Sequence, residues 1–427
     1  MDRTTIHATI NDLVKQYFSH SEEDFVPGKS KVPLVVPSYS WEEVSESIDS
    51  LLTTWVTMGK KVFEFERIFS QYIGTNHGLM VNSGSSANLV ALSILTNPRL
   101  KGHLSSGDEV ITPSCTWSTT VYPIMTVNAM PVLVDVNLGT YDISVEEIEK
   151  SITKKTRAIM PVHLLGGSCD MSQIMEIAEK HDLFVIEDTC ESYGAEFKGK
   201  KVGSFGHLST FSFFLSHHIT TIEGGMLLSN SEEMMEIARP LRAHGWIREM
   251  KSRDEIISRH PGMDPRFFFW NIGFNLRPTE IQGAFGIHQM KKLESFIQIR
   301  RENFHYWNKN LAQFSDSLIL HEELPGTRNV SFAYPIVVRE NAGFTKKQLA
   351  DFLESRGIET RPIEGANMAA HPSMEHLPYR QVGSLPNSQA IFDRGFFFGN
   401  HHKISPEIRE YVVSCFEEFM RKHEMGK

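Results

Sequence analysis

The sequence predicts an α/β fold in which a mostly parallel sheet is covered by helices on both faces and a smaller α+β unit follows it. Two patterns carry this expectation. Residues 109–112, 131–136, 158–162 and 183–188 are short apolar runs, continuous rather than alternating, as strands buried on both faces are. Between the last two runs, residues 171–181 place apolar side chains at helical spacing. Strands alternating with amphipathic helices build parallel sheets, and ligands collect at the carboxyl ends of their strands.

The remaining elements follow in order. Ile6, Ile10, Leu13, Val14, Tyr17 and Phe18 recur at helical spacing over residues 6–18. The Pro-, Gly- and Lys-rich stretch 26–33 reads as an extended arm across the surface. A Gly/Ser turn at 84–86 feeds a helix over 87–95. Residues 278–311 predict a long helix with Pro278 in its first turn. Beyond it, 330–338 reads as a strand and 345–356 as a helix. Ser405-Pro406 caps and starts a last helix running to about residue 423. These elements divide the 427 residues into an N-terminal helix and arm (1–33), a large domain (34–295) and a small C-terminal domain (296–427). A chain of this length exceeds one small core.

Bulk properties narrow the function classes. Composition is 41% apolar and 22% charged, ordinary for a globular protein. No apolar run approaches the roughly 20 residues of a membrane helix, and residues 1–6 show no signal-peptide core. The net charge of -9, without a long basic block, argues against a nucleic-acid partner. Cysteines 115, 169, 190 and 415 are scattered without a CxxC pair, which predicts neither a zinc site nor a disulfide framework. No HExxH spacing supports a metal hydrolase built on His217, His218, His401 and His402. The expectation is a cytoplasmic enzyme with no membrane, nucleic-acid or metal partner.

Four segments could carry chemistry. Gly84-Ser85-Ser86-Ala87-Asn88 offers backbone N–H groups, hydroxyls and a positive helix end, which suit a phosphate monoester; an ordinary tight turn looks the same. Trp117, just after a strand, could stack on a flat cofactor or simply pack. Asp188 ends an apolar strand, where its carboxylate needs a partner. A protonated pyridine nitrogen would serve, and so would a helix N-cap. Ser216-His217-His218 precedes Glu223-Gly224-Gly225; adjacent histidines are often mere surface or core residues. Phosphate turn, stacking aromatic, strand-end Asp and Ser-x4-His, in one chain order, together specify a site for a phosphorylated aromatic cofactor.

These segments resemble the DegT-type sugar aminotransferases, fold-type I enzymes that bind pyridoxal phosphate (PLP). The likeness runs from about Pro33 to the last helix. It rests on 116–120, 187–192 and 216–219, and continues in Arg242-Ala243-His244-Gly245-Trp246, Gly273-Phe274-Asn275-Leu276-Arg277-Pro278, Arg361-Pro362-Ile363 and Phe398-Gly399-Asn400-His401. In that family a lysine stands eight residues before the last glycine of Glu-Gly-Gly. Here the position holds His217, as in the histidine-containing 3-dehydratases of deoxysugar and O-antigen biosynthesis, the branch acting on GDP-4-keto-6-deoxy-D-mannose above all.

The resemblance implies a fold-type I large domain with a seven-stranded sheet. It also implies PLP and its amine form (PMP) as cofactor, a nucleotide-linked 4-keto-6-deoxy sugar as substrate, L-glutamate as amino donor, and a homodimer with shared sites. Gly84, Ser85 and Ser212 would hold the cofactor phosphate, Trp117 would stack on the ring, Asp188 would pair with the ring nitrogen, and Glu191 would lie nearby. Asn275 would reach the phosphate from the neighbouring subunit, His217 would be the catalytic base, and Arg361 and His401 would contact substrate. A related branch carries a two-iron two-sulfur cluster on cysteines that correspond to residues 244–264. This stretch contains no cysteine, so no cluster is expected. The alternatives are a nucleotide-sugar aminotransferase, an iron-sulfur-independent relative of the branch that dehydrates CDP-4-keto-6-deoxyglucose, and a PLP-binding regulator without turnover.

Overall fold

The computed structural model describes residues 1–19, 24–363 and 365–424. Helices α1 (Arg3–Phe18), α2 (Trp41–Leu52) and α3 (Lys60–Ile73) come first. Strand β1 (His77–Val81) leads into α4 (Gly84–Leu95). Alternation then runs through β2 (Glu109–Pro113), α5 (Ser118–Thr126), β3 (Met130–Val134), α6 (Val145–Ser151), β4 (Thr156–Ile159), α7 (Met171–His181) and β5 (Phe184–Asp188). Strands β6 (Leu208–Ser212) and β7 (Gly225–Ser229) flank the loop that holds His217. Helices α8 (Glu232–Arg242), α9 (Arg253–Ser258) and α10 (Glu280–Leu311) follow.

The large sheet has the order β1-β7-β6-β5-β4-β2-β3, and all its pairings are parallel except those of β7 with β1 and β6. The sequence reading of a mostly parallel sheet stands, with one addition. An eighth strand, the two-residue β11 (Arg380–Gln381), pairs beside β3. Two residues carry no period, so this strand left no sequence signal. Adjacent residues of one strand face opposite sides. Val110, Ile186 and Leu227 pack with Val90, Leu95 and Ala238 of α4 and α8. Ile111, Val185 and Met226 pack with Phe65, Ile174 and Leu293 of α3, α7 and α10.

The C-terminal sheet is antiparallel. It joins β8 (Leu318–Leu320), β9 (Ala333–Val338), β12 (Gly395–Gly399) and β10 (Thr360–Pro362) in that order. Its core gathers Phe304, Trp307, Tyr334, Phe398 and Phe416. Helices α11 (Lys346–Ser355), α12 (Pro386–Arg394) and α13 (Pro406–Glu424) complete this part.

Three element boundaries differ from the sequence reading for identifiable reasons. Helix α4 begins at Gly84 because Ser83 caps it and accepts from the Ser86 N–H at 3.1 Å. The Gly/Ser turn is therefore the first turn of the helix itself. Thr279, not Pro278, sets the start of α10: it forms a capping box with Gln282, and Pro278 lies outside the helix. Strand β9 starts only at Ala333, because Ser331 holds a left-handed φ of 45°.

A buried ion pair anchors the strand that leads into α4. Arg242, 1% exposed, donates to Glu66 Oε1 and to the Met80 carbonyl, each at 2.7 Å, and also meets Glu249. Glu66 in turn accepts the Met80 N–H at 2.7 Å. Removing one partner of a buried pair leaves the other charge uncompensated. Arg242→Met should therefore lower stability by about 3 to 5 kcal/mol in chemical denaturation, and a loss under 1 kcal/mol would show the pair is dispensable.

Candidate active site

A cavity of about 630 Å³ opens where β5, β6 and the start of α4 converge. Nine of the ten site residues expected from the sequence line it: Gly84, Ser85, Trp117, Asp188, Glu191, Ser212, His217, Arg361 and His401.

The end of the cavity expected to take a phosphate is built by α4 lying flush on β6. A Cβ on Gly84 would sit 2.4 Å from Ser212 Cβ, and one on Gly225 would sit 2.2 Å from the Ser83 carbonyl oxygen. The first N–H groups of a helix have no intrahelical acceptor, and the helix dipole makes that end positive. Ser85 and Ser212 add hydroxyls, with Ser85 Oγ placed by a 2.8 Å bond to Thr119 Oγ1.

Asp188 is 3% exposed. Its Oδ2 accepts from Asn88 Nδ2 at 3.0 Å and Thr120 Oγ1 at 2.9 Å, and its Oδ1 from the Cys190 N–H at 3.2 Å. All three donors are neutral, so the buried carboxylate still lacks a countercharge. No helix starts after it, which removes the N-cap reading. The sequence reading placed Asn88 in the candidate phosphate segment but gave it no role of its own. It stands four residues after Gly84, on the same helix face, and that spacing was the available signal. Trp117 is 51% exposed; its ring forms cavity wall and is not core packing. Glu191 Oε2 accepts the Leu165 N–H at 2.7 Å, across a backbone held at φ 55°.

The two histidines separate. His218 is buried, and its Nε2 donates to the Val330 carbonyl at 3.1 Å. His217 lines the cavity with its ring 5.1 Å from that of Phe332, and its Nδ1 has no partner. The loop between β6 and β7 is pinned by Thr220 N–H donating to Gln289 Oε1 at 3.0 Å. Burial, with the Arg300 guanidinium adding to it, pushes the His217 imidazole down to about 3. The pair at 401–402 separates too. His401 lines the cavity and donates from Nε2 to the Pro33 carbonyl at 3.1 Å. His402 instead lies against Phe296, ring centres 4.3 Å apart.

Asn275 is the exception. It is exposed, accepts from Arg277 Nε at 3.1 Å, and does not reach the cavity of its own chain. The sequence reading missed two contributors altogether. Leu34, Val35 and Val36 extend the N-terminal arm into the cavity wall, and Arg300 enters it from the middle of α10. Among the described residues, no group of three His, Cys, Asp or Glu side chains could hold a metal ion. No described helix is long and apolar enough to cross a membrane.

Comparison with known proteins agrees with this geometry. The DegT/DnrJ/EryC1/StrS aminotransferase family pattern matches residues 38–417. The lipopolysaccharide biosynthesis protein RfbH of Salmonella typhimurium is 34% identical, over 98% of this chain and 99% of its own. The GDP-4-keto-6-deoxy-D-mannose 3-dehydratase of Escherichia coli O55:H7 is 35% identical, over 85% of this chain and 94% of its own. A crystal structure of GDP-4-keto-6-deoxymannose-3-dehydratase with a trapped PLP-glutamate geminal diamine superposes with a TM-score of 0.82. It is 33% identical and covers 90% of this chain and 99% of that one.

Because His217 in the free protein is held down to about 3, its base form prevails throughout the neutral range. The pH profile of kcat/KM reports groups of the free enzyme. It should show no ascending limb between pH 5.5 and 7.5 attributable to this side chain. A limb near 6.5 in the unaltered protein, absent in His217→Asn with residual activity, would refute this environment.

Proposed function

We propose that this chain, which belongs to the DegT/DnrJ/EryC1/StrS aminotransferase family, removes the C3 hydroxyl from a nucleotide-linked 4-keto-6-deoxyhexose. PLP and PMP serve as cofactor and L-glutamate as amino donor. The carrying observation is that the cavity gathers nine of the ten residues expected at the site, with a histidine at its wall and no lysine among its described lining residues.

The residues present fit the cofactor. The close contact of Gly84 with Ser212 brings the Ser212 hydroxyl to a positive helix end at the cavity, which suits a phosphate. Asp188, buried among neutral donors, suits a protonated ring nitrogen. The half-exposed Trp117 suits a ring face. When bound, the cofactor supplies an amino group able to condense with the C4 ketone and a pyridinium ring able to take up electron density.

The side chains then divide the work. Gly84, Ser85 and Ser212 hold the phosphate, Trp117 stacks on the ring, Asp188 keeps the ring nitrogen protonated, and Glu191 lies close by. His217, neutral at rest, removes a proton from the cofactor C4′ carbon. Once charged, it is a strong acid and gives a proton to the departing C3 hydroxyl. One imidazole can serve both steps. With no lysine among the described lining residues, these contacts hold the cofactor without a covalent link. The sugar does not keep the nitrogen, which leaves as ammonia.

The site is completed across a homodimer, with Asn275 of one subunit reaching the phosphate of the other. Exposed Phe267, Phe269 and Ile272 precede Asn275 in the chain, and an apolar surface of this kind favours association.

The assignment is tested by incubating the protein with PLP, L-glutamate and a panel of 4-keto-6-deoxy nucleotide sugars. The expected product is lighter than substrate by one oxygen atom and accompanies free ammonia; a product that retains nitrogen would mean an aminotransferase. His217→Lys should gain a borohydride-reducible link to PLP and lose dehydration. Formation of such a link by the unaltered protein would overturn the reading.

A further inference from the structure

We propose that Arg300 binds the α-carboxylate of the amino donor, deep in the cavity beside His217; this rests on the function proposed above. Arg300 is 4% exposed and lines the cavity from the middle of α10. Its Nη1 donates to the carbonyls of Phe332 at 2.8 Å, Ser331 at 3.4 Å and Asn400. Its Nε is buried without a partner. Nη2 makes no hydrogen bond among the described residues and is not a buried atom, so it is the nitrogen open to the cavity. No carboxylate pairs with this guanidinium among the described residues, where the other buried arginine, Arg242, has two.

A buried cation faced only by carbonyl dipoles is incompletely compensated. Its titratable neighbours add no negative charge. Burial and Arg300 itself push His217, His401 and His402 down to about 3, and His218 goes the same way. Tyr193 is buried and stays neutral because burial pushes its phenol up. Of the carboxylates at the cavity, Asp188 is taken by its three donors and Glu191 accepts the Leu165 N–H, while Glu223, pushed up by burial, makes no ion pair with Arg300 among the described residues. The site therefore attracts an anion from outside.

Position selects which anion. Phe332 joins Arg300 to His217: its carbonyl takes Nη1 while its ring lies 5.1 Å from the imidazole. In an amino acid the α-carboxylate sits on the same carbon as the proton the base must reach, so its site must adjoin the base. A sugar diphosphate hangs from C1, away from the reacting C3 and C4. Arg361 on β10 is exposed, lines the cavity and makes no ion pair among the described residues, so it suits that group better. Binding a carboxylate also cancels the charge that depresses His217, so the donor's arrival strengthens the base that acts on it.

The test follows conversion of bound PLP to PMP by absorbance in single turnovers, with L-glutamate, its α-amide L-isoglutamine and its γ-amide L-glutamine. The unaltered protein should prefer L-glutamate to L-isoglutamine by roughly 10- to 100-fold. Arg300→Met should bring that ratio near one while leaving the glutamate-to-glutamine ratio unchanged, and Arg300→Lys should restore part of it. Without turnover, 2-oxoglutarate should raise the Tm of the unaltered protein and of Arg300→Lys, but not of Arg300→Met. Equal slowing of both donors in Arg300→Met would reduce Arg300 to a clamp on three carbonyls. Collapse of the γ-amide ratio instead would overturn the α-carboxylate assignment. Should Arg300→Met not fold, an unaltered protein indifferent to the α-amide refutes the proposal by itself. Failure of the function reads differently: no sugar loses oxygen, yet the 2-oxoglutarate shift persists.

Discussion

The amide of Asn88 is the contact on which the cavity depends. Its Nδ2 donates to Asp188 Oδ2 at 3.0 Å and to the Thr119 carbonyl at 3.1 Å, and its Oδ1 accepts from Thr210 Oγ1 at 2.6 Å. One buried side chain thereby ties α4 to β5, β6 and the start of α5. These are the elements that bring the N-terminal turn of α4, the strand-end carboxylate and the aromatic wall to the cavity. An amide can do this because it donates and accepts at once, in fixed directions. A carboxylate there would repel Asp188, and an aliphatic residue would leave Asp188 and Thr210 short of partners in a dry setting.

The glycines around that contact act in the same sense. Gly84 and Gly225 permit the helix end, β6 and β7 to touch backbone to backbone, so Ser83, Ser212 and the His217 loop share one rim. The loop cannot drift, because Gln289 of α10 accepts from Thr220 N–H and from Ser38 Oγ. The loop that holds His217 is thus fastened to the long helix and, through Ser38, to the segment after the arm.

Much of this was legible in the sequence because it depends on local patterns. Continuous apolar runs marked the parallel strands, and Gly-Ser marked the start of α4 at the cavity wall. Asp188 after an apolar strand gave the buried carboxylate. What stayed hidden depends on long-range pairing. Arg300 lies in a helix whose pattern reads only as amphipathic, and its meaning comes from carbonyls 31, 32 and 100 residues away. Leu34, Val35 and Val36 have no periodic context. They become cavity wall only because Val32 pairs with Ile358 and His401 holds the Pro33 carbonyl. The histidine pairs at 217–218 and 401–402 were ambiguous for the same reason: neighbours in sequence, they point to different surroundings.

The cavity is electrically divided, and the division explains why a histidine can replace a lysine there. Asp188 and Glu191 bring negative charge to the cavity, and Arg300 brings positive charge that acts on His217. A lysine at residue 217 would bring a second cation against Arg300, and in a low-dielectric setting that repulsion favours its neutral, nucleophilic form. Imidazole under the same field becomes neutral without becoming a competent amine nucleophile. It keeps a lone pair for proton transfer and leaves the cofactor free to carry nitrogen to a substrate and away again. The same positive side that lowers the base's proton affinity at rest makes its protonated form a stronger acid. Hydroxyl departure, the step that separates dehydration from simple amino transfer, needs that property.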